Sequence, residues 1–76
     1  MEYSQIIRNI REDHDLSQAQ LAKIIGTTKN QIGKYERGEQ EMPIKHLIAL
    51  CDYYNVSADY ILGLPKGHPY GLSKTK

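Results

Sequence analysis

The sequence predicts an all-α fold, a compact bundle of about five short helices in one domain. Apolar residues recur three and four positions apart in successive segments, the spacing that places them on one face of a helix. Capping residues precede these segments, and glycine, asparagine or proline follows them. A chain of 76 residues is typical of a single domain, and a domain of this size has a thin hydrophobic core.

The first predicted helix covers residues 3–14, and the second covers residues 17–25. The first carries an apolar stripe at helical spacing, made of Tyr3, Ile6, Ile7 and Ile10. At the start of the second, Ser17 followed by Gln20 is a capping-box pattern, in which each residue bonds the backbone of the other.

The third predicted helix covers residues 28–37 and follows a tight turn. Thr28 followed by Gln31 repeats the capping-box pattern, so we expect these two side chains to close the start of the helix. Gly26 in the turn adopts a positive φ at little steric cost, and Gly38 is placed to end the helix.

The last two predicted helices are separated by Asn55, which is placed to end the fourth. Pro43 suits the first turn of the fourth helix, where its missing N–H needs no partner. The apolar residues at helical spacing in this segment are Ile44, Leu47, Ile48, Leu50, Cys51 and Tyr54. Ser57 begins the fifth helix, and Gly63 and Pro65 stop it.

The domain is expected to cover residues 1–64, followed by a flexible C-terminal tail over residues 65–76. The tail combines scattered lysines with glycine and proline and has little apolar content. No signal peptide or bilayer-spanning run is evident, which fits a cytoplasmic protein.

The composition argues against several classes of protein. One cysteine rules out an internal disulfide, and we interpret this residue, Cys51, as a small core residue. No metal-type Cys/His spacing, catalytic set or phosphate-binding loop is present in the sequence. We therefore predict neither an enzyme nor a metal, cofactor or small-molecule site. The histidines are predicted to lie on the surface: His14, His46 and His68.

The second and third predicted helices, joined by a glycine turn, form the arrangement that places a recognition helix in the major groove of DNA. Between residues 18 and 37 four basic side chains stand against a single acidic one, Glu36. The basic residues are Lys23, Lys29, Lys34 and Arg37. Charges alone fit an ordinary solvated surface, but on a helix-turn-helix this surplus is typical of phosphate contact.

The segments LSQAQLAKIIGTT, YERG and NVSADYILG resemble the lambda repressor/Cro-type (Xre) helix-turn-helix domain. The resemblance covers residues 3–64, nearly all of the predicted domain. It implies a lambda repressor-like bundle of about five helices that binds a double-stranded DNA operator as a homodimer. It also implies a regulator of transcription, which we expect to be a repressor.

The resemblance implies DNA contacts for individual residues. It assigns contacts with base edges to Lys29, Asn30 and Lys34. Lysine can donate hydrogen bonds to guanine, and asparagine can pair with adenine. DNA phosphates are assigned to Gln18, Thr28, Gln31, Arg37 and Gly38. A helix cap is the alternative role for Gln31, and a solvated cation at the helix end is the alternative for Arg37.

Structural roles come from the same resemblance. Arg11 and Glu36 match an ion pair that joins the first and third helices. The surface through which the family dimerises is matched by Tyr53, Tyr60 and Leu64. Core packing is the alternative for these residues, and it is the stronger interpretation for Tyr60.

Two residues depart from the family pattern. Ile24 is apolar where the family is usually polar, which fits a scattered surface residue or a protein interface. Gly33 lies in the middle of a helix, where glycine costs about 0.5–1 kcal/mol relative to alanine. This cost indicates a close approach, either by the second helix or by DNA.

Two other functions stay open at this point. An antitoxin or a restriction–modification controller would use the same fold to bind DNA. A protein-interaction module would keep the fold without binding DNA, with an interface that includes Ile24.

Overall fold

The computed structural model describes residues 2–64, which form five α-helices and no strand. The helices are α1 (Glu2–Asp13), α2 (Gln18–Ile25), α3 (Lys29–Glu36), α4 (Ile44–Tyr54) and α5 (Ala58–Leu62). The predicted all-α bundle is confirmed, and the first three helices begin and end within one residue of the predicted bounds. The expected tail, residues 65–76, and the predicted surface residue His68 lie outside the described residues.

Side-chain caps begin α2 and α3. The Ser17 hydroxyl accepts a hydrogen bond from the Gln20 amide at 3.0 Å, and the Gln20 side chain accepts one from the Ser17 amide at 2.7 Å. The Thr28 hydroxyl accepts a bond from the Gln31 amide at 3.2 Å. The Gln31 side chain does not return this bond, because it donates to the Tyr35 hydroxyl at 3.4 Å. The second predicted capping box is therefore only half formed.

Residues in the left-handed region end three helices where the sequence predicts, and the one that ends α5 is Gly63, with a φ of +72°. Gly26 has a φ of +80°, and its amide donates to the Ala22 carbonyl at the end of α2. The space around Gly26 is open, so its backbone conformation rather than crowding favours glycine. Asn55 adopts a φ of 57° after α4, as predicted. Pro43 occupies the N-cap of α4, one position before the predicted first turn, and supplies no side-chain bond.

One hydrophobic core joins all five helices. The helices α2 and α3 pack on each other, α1 packs on α3 and α5, and α4 packs on α2 and α5. The buried apolar side chains are Ile7, Ile10, Leu21, Ala22, Ile25, Ile32, Tyr35, Leu50, Tyr54 and Ile61. Cys51 packs against this core as predicted, and burial raises the pKa of its thiol.

The side of α4 that faces the core agrees in part with the predicted apolar stripe, because Leu50 and Tyr54 are buried and Leu47 and Cys51 pack against the core. His46, predicted to lie on the surface, is only 8% exposed and lines up with Leu50 and Tyr54 at intervals of four residues. Ile44 and Ile48, which belong to the predicted stripe, are exposed. His14, in contrast, is exposed as predicted.

A hydrogen bond explains why a histidine occupies the core side of α4. The Tyr35 hydroxyl lies 2.9 Å from Nδ1 of His46. Because this hydroxyl also accepts a bond from Gln31, we assign its proton to His46 and the ring to the neutral form. Burial lowers the pKa of His46, and the nearby charge of Lys45 lowers it further, which agrees with a neutral ring.

Candidate nucleic-acid interface

One face of α3 is polar and open to solvent. Its exposed side chains include Asn30 and Lys34, which lie one turn apart, while Ile32 and Tyr35 fix the opposite face in the core. Lys29 is exposed at the first residue of the helix. The three residues predicted to contact bases are therefore all exposed on α3, with Lys29 at its start and Asn30 and Lys34 on one side.

The starts of α2 and α3 supply backbone N–H groups with no acidic side chain in the first turn of either helix. Helix N-termini attract anions because their free N–H groups and the helix dipole both favour negative charge. Gln18 is the first residue of α2, and Thr28 is the N-cap of α3. Gly38 is half-buried just beyond α3 with a φ of +73°.

A buried carboxylate connects α1, α2 and α3. Glu36 accepts hydrogen bonds from Arg11, with Nε at 2.7 Å from Oε2 and Nη2 at 3.1 Å from Oε1. The Arg11 side chain is 11% exposed and that of Glu36 is 3% exposed. Arg11 also donates from Nη1 to the Leu16 carbonyl at 2.6 Å. Its hydrogen bond with Glu36 raises the pKa of Arg11, whose guanidinium is charged in proteins in any case.

The same carboxylate holds Gln18, the first residue of α2. Nε2 of Gln18 donates to Oε1 of Glu36 at 3.1 Å. An amide nitrogen carries two hydrogens, so one remains for another acceptor beside the start of α2. The network therefore fixes the side chain that the sequence assigns to a phosphate, and the resemblance gave no indication of this bond.

Arg37 follows α3, and its side chain extends back along the exposed polar face of that helix. Its Nε donates to Oε2 of Glu39 at 2.7 Å, and its Nη2 donates to Oε1 of Glu39 at 3.3 Å. This hydrogen-bonded pairing raises the pKa of Arg37 and lowers the pKa of Glu39. A Cβ built on Gly33 would lie 2.8 Å from Nη1 of Arg37. The nearest neighbour of a Cβ at Gly33 is thus the Arg37 side chain.

Apolar side chains are exposed on α4 and around α5. Tyr60 is 56% exposed, so the interpretation of this residue as core is wrong, because α5 turns only Ile61 fully inward. Tyr53 and Leu64 are also exposed. A shallow depression of about 310 Å³ is lined by Ser57, Asp59, Tyr60 and Leu64. Ile24 is exposed on α2.

Two kinds of feature are absent from residues 2–64. No three side chains among histidine, cysteine, aspartate and glutamate come together there as ligands for a metal ion. No helix in this part of the chain combines the length and the apolar character needed to cross a bilayer.

Comparison with known proteins gives consistent matches over this same region. A model of the helix-turn-helix family matches residues 7–61. The uncharacterized HTH-type transcriptional regulator YobD of Bacillus subtilis is 44% identical over 62 residues, which are 82% of this chain and 55% of YobD. The antitoxin PezA of Streptococcus pneumoniae is 33% identical over 60 residues, 79% of this chain and 38% of PezA. The chain thus spans about half the length, or less, of these relatives.

Among solved structures, the P22 c2 repressor in complex with a synthetic operator superimposes with a TM-score of 0.73. It is 32% identical in sequence, and the match covers 78% of this chain and 89% of the repressor chain. The chain belongs to the helix-turn-helix family of the lambda repressor type.

Proposed function

We propose that this domain binds double-stranded DNA sequence-specifically and represses transcription, with α3 in the major groove. The observation that carries the proposal is the exposed polar face of α3, where Lys29, Asn30 and Lys34 stand opposite a buried apolar face. Lysine donates to O6 and N7 of guanine, and asparagine pairs with N6 and N7 of adenine. The match to a repressor bound to operator DNA supports this role for the same fold.

Phosphate contacts hold the domain in register on the duplex. We assign them to Gln18 and the start of α2, to Thr28 and Gln31 at the start of α3, and to the backbone at Gly38. Gln18 is held by Glu36 in a position that leaves one N–H free. Phosphate contacts supply most of the affinity that does not depend on sequence. The resemblance also gives a phosphate role to Arg37, whose guanidinium is already paired with Glu39.

We also propose that the domain binds DNA as a homodimer. We expect it to be cytoplasmic and to have no catalytic activity. For the dimer contact we take the exposed apolar side chains Tyr53, Tyr60 and Leu64, which we together call the α5 patch. A dimer would read two half-sites about 34–36 Å apart, one turn of the double helix. The proposed function requires no metal, cofactor or small-molecule ligand.

An antitoxin is the second candidate function, because PezA carries that name and matches 79% of this chain. An antitoxin would bind DNA through the same surface of α3 and would also bind a toxin protein. A stable complex with one co-purified protein, together with intact DNA binding, would favour it. A domain that binds proteins alone would show no salt-dependent affinity for duplex DNA.

Selection from a pool of random duplexes tests the proposed function directly. The chain is equilibrated with the pool at several salt concentrations, and the bound fraction is sequenced. We expect an enriched inverted repeat and an affinity that falls steeply as salt rises. Binding without enrichment would reduce the function to phosphate contact, and no binding at low salt would contradict it.

Replacing Lys34 by alanine tests base reading by α3. We expect a loss of about 1–3 kcal/mol in binding to the selected operator and a smaller loss on scrambled DNA. Lys45, which is exposed on α4, provides the matched control for removal of one lysine charge. Equal losses on both DNA sequences would reassign Lys34 to a phosphate.

The substitution Tyr60→Glu tests the α5 patch as the dimer surface. Placing a charge on an exposed apolar contact should weaken self-association at least roughly tenfold, measured by sedimentation equilibrium with operator DNA and without it. Ile24→Glu introduces the same charge at an exposed apolar residue on α2 and should leave the dimer intact. The opposite pattern would move the interface to α2.

A further inference from the structure

The guanidinium of Arg37 lies on the DNA-facing side of α3. Arg37 has helical dihedral angles, with φ −89° and ψ −3°, so its side chain leaves the chain on the face shared by Asn30, Gly33 and Lys34. Long helical side chains lean back toward the preceding turn. Because Gly33 has no Cβ, Nη1 can lie only 2.8 Å from the position that this carbon would take, closer than a real Cβ allows. Gly33 thus makes room for a flat cation on the recognition face.

Glu39 leaves a defined set of donors on Arg37 free. The carboxylate takes Nε and one hydrogen of Nη2, at 2.7 and 3.3 Å. A guanidinium has five N–H donors, so both hydrogens of Nη1 and the second hydrogen of Nη2 remain. These three donors lie at the far end of the group and form a fork suited to two neighbouring acceptors.

The pairing with Glu39 makes a phosphate a poor partner for Arg37. A carboxylate on the same guanidinium repels an approaching phosphate, and the pair as a whole carries no net charge to release counterions. A base edge is uncharged and meets no such repulsion. Both side chains are about half exposed, at 56% and 53%, so the pair itself adds little stability, and the geometry matters more than the energy.

We propose that Arg37 is a specificity-determining residue that donates to O6 and N7 of a guanine, with Glu39 as the positioning residue that holds it over Gly33. Guanine is the base that offers two neighbouring acceptors to such a fork in the major groove. A guanidinium that is already held loses less conformational freedom when it binds, which favours the correct sequence. The inference rests on the proposed DNA-binding function and adds a fourth base-reading residue, which follows the last residue of α3.

Arg37→Ala is compared with the unmodified chain on the selected operator and on scrambled duplex at several salt concentrations. We expect a loss of about 5- to 150-fold on the operator, the range of one bidentate base contact, with little loss on scrambled DNA. The dependence of affinity on salt should stay unchanged. Replacing the enriched guanine by 7-deazaguanine, which lacks N7, should weaken the unmodified chain and leave Arg37→Ala unaffected.

Three further variants separate the positioning of Arg37 from its charge. Glu39→Gln should weaken operator binding several-fold and strengthen binding to scrambled DNA, because the released Arg37 becomes free for phosphates. Glu41→Gln removes the same charge from an exposed glutamate in the same connection and should not weaken operator binding. Gly33→Ala should raise the melting temperature, since alanine favours a helix, and yet weaken operator binding because its Cβ displaces the guanidinium.

The outcomes distinguish failure of the inference from failure of the proposed function. If the random pool yields an operator but Arg37→Ala loses affinity equally on every sequence and lowers the salt dependence, Arg37 is a phosphate contact and the inference is wrong. Operator binding unaffected by Gly33→Ala or by Glu39→Gln would overturn the positioning role. If the pool yields no operator and the chain binds no DNA, the proposed function fails and the inference fails with it.

Discussion

Replacing Glu36 by alanine is expected to lower the free energy of unfolding by about 3–5 kcal/mol. The change leaves the Arg11 guanidinium, only 11% exposed, without the carboxylate that takes two of its hydrogen bonds. Arginine does not lose its proton in this setting, so the charge stays buried and unpaired. Urea unfolding followed by circular dichroism at 222 nm measures the loss.

A matched pair on the surface provides the control. Arg8 and Glu12 form an ion pair on α1 at 3.2 Å, with side chains 55% and 52% exposed. Glu12→Ala should change stability by about 0–1 kcal/mol, since water screens an exposed pair. If Glu36→Ala lowers the free energy of unfolding no more than Glu12→Ala does, burial of the pair between Arg11 and Glu36 does not determine its effect on stability.

A double substitution tests whether the ion pair or its disruption sets the cost. Replacing Arg11 by methionine and Glu36 by leucine removes both charges and keeps similar volume. We expect this variant to be far more stable than Glu36→Ala, because no buried charge is left without a partner. It would still lose the contact from Glu36 to Gln18. If the double variant is stable but binds DNA more weakly, the weaker binding would reflect the loss of this hydrogen bond to Gln18.

Local interactions made the helix boundaries predictable. A capping residue such as Ser17 bonds a backbone amide three positions later, so the signal lies within a few residues of sequence. Gly26 and Asn55 end helices through their own dihedral angles, which also depend little on the rest of the fold. The bounds of α1, α2 and α3 were therefore predicted to within one residue.

The orientation of α4 could not be predicted in the same way. The predicted stripe extends from Ile44 and Ile48 to Leu50 and Tyr54, whereas the buried side runs from His46 to the same last two residues. The hydrophobic pattern favours the two isoleucines over His46, because isoleucine is more apolar than histidine. The hydroxyl of Tyr35, on a different helix, reverses this preference by giving His46 a buried partner. Such a choice depends on tertiary packing, although the four-residue interval from His46 to Leu50 and Tyr54 was visible.

In the candidate site, too, the features set by local sequence were predictable and those set by side-chain packing were not. The resemblance placed Lys29, Asn30 and Lys34 on one helix, and periodicity alone explains why two of them share a face. The bond between Arg37 and Glu39 joins residues two positions apart across the end of α3, and no helical spacing predicts it. Gly33 was recognised as a place of close approach, but its neighbour depended on a side-chain conformation that the sequence does not specify.

Replacing Tyr35 by alanine should destabilise the domain by about 3–5 kcal/mol, the range for removal of a large buried aromatic side chain. Among residues 2–64, Tyr35 is the largest of the fully buried side chains, and it packs from α3 against His46 on α4. The loss leaves a cavity and also removes the hydroxyl that connects Gln31 with His46. Thermal and urea unfolding of the variant at pH 7 measures the combined effect.

Tyr35→Phe separates the hydroxyl from the packing, because the ring stays in place. We expect a smaller cost, about 1–3 kcal/mol, since Nδ1 of His46 is left buried without a partner. The double variant Tyr35→Phe with His46→Leu should recover part of this cost, because it removes both polar partners together. No recovery would mean that the hydroxyl acts through Gln31 at the start of α3 instead, and operator affinity should then fall in both variants alike.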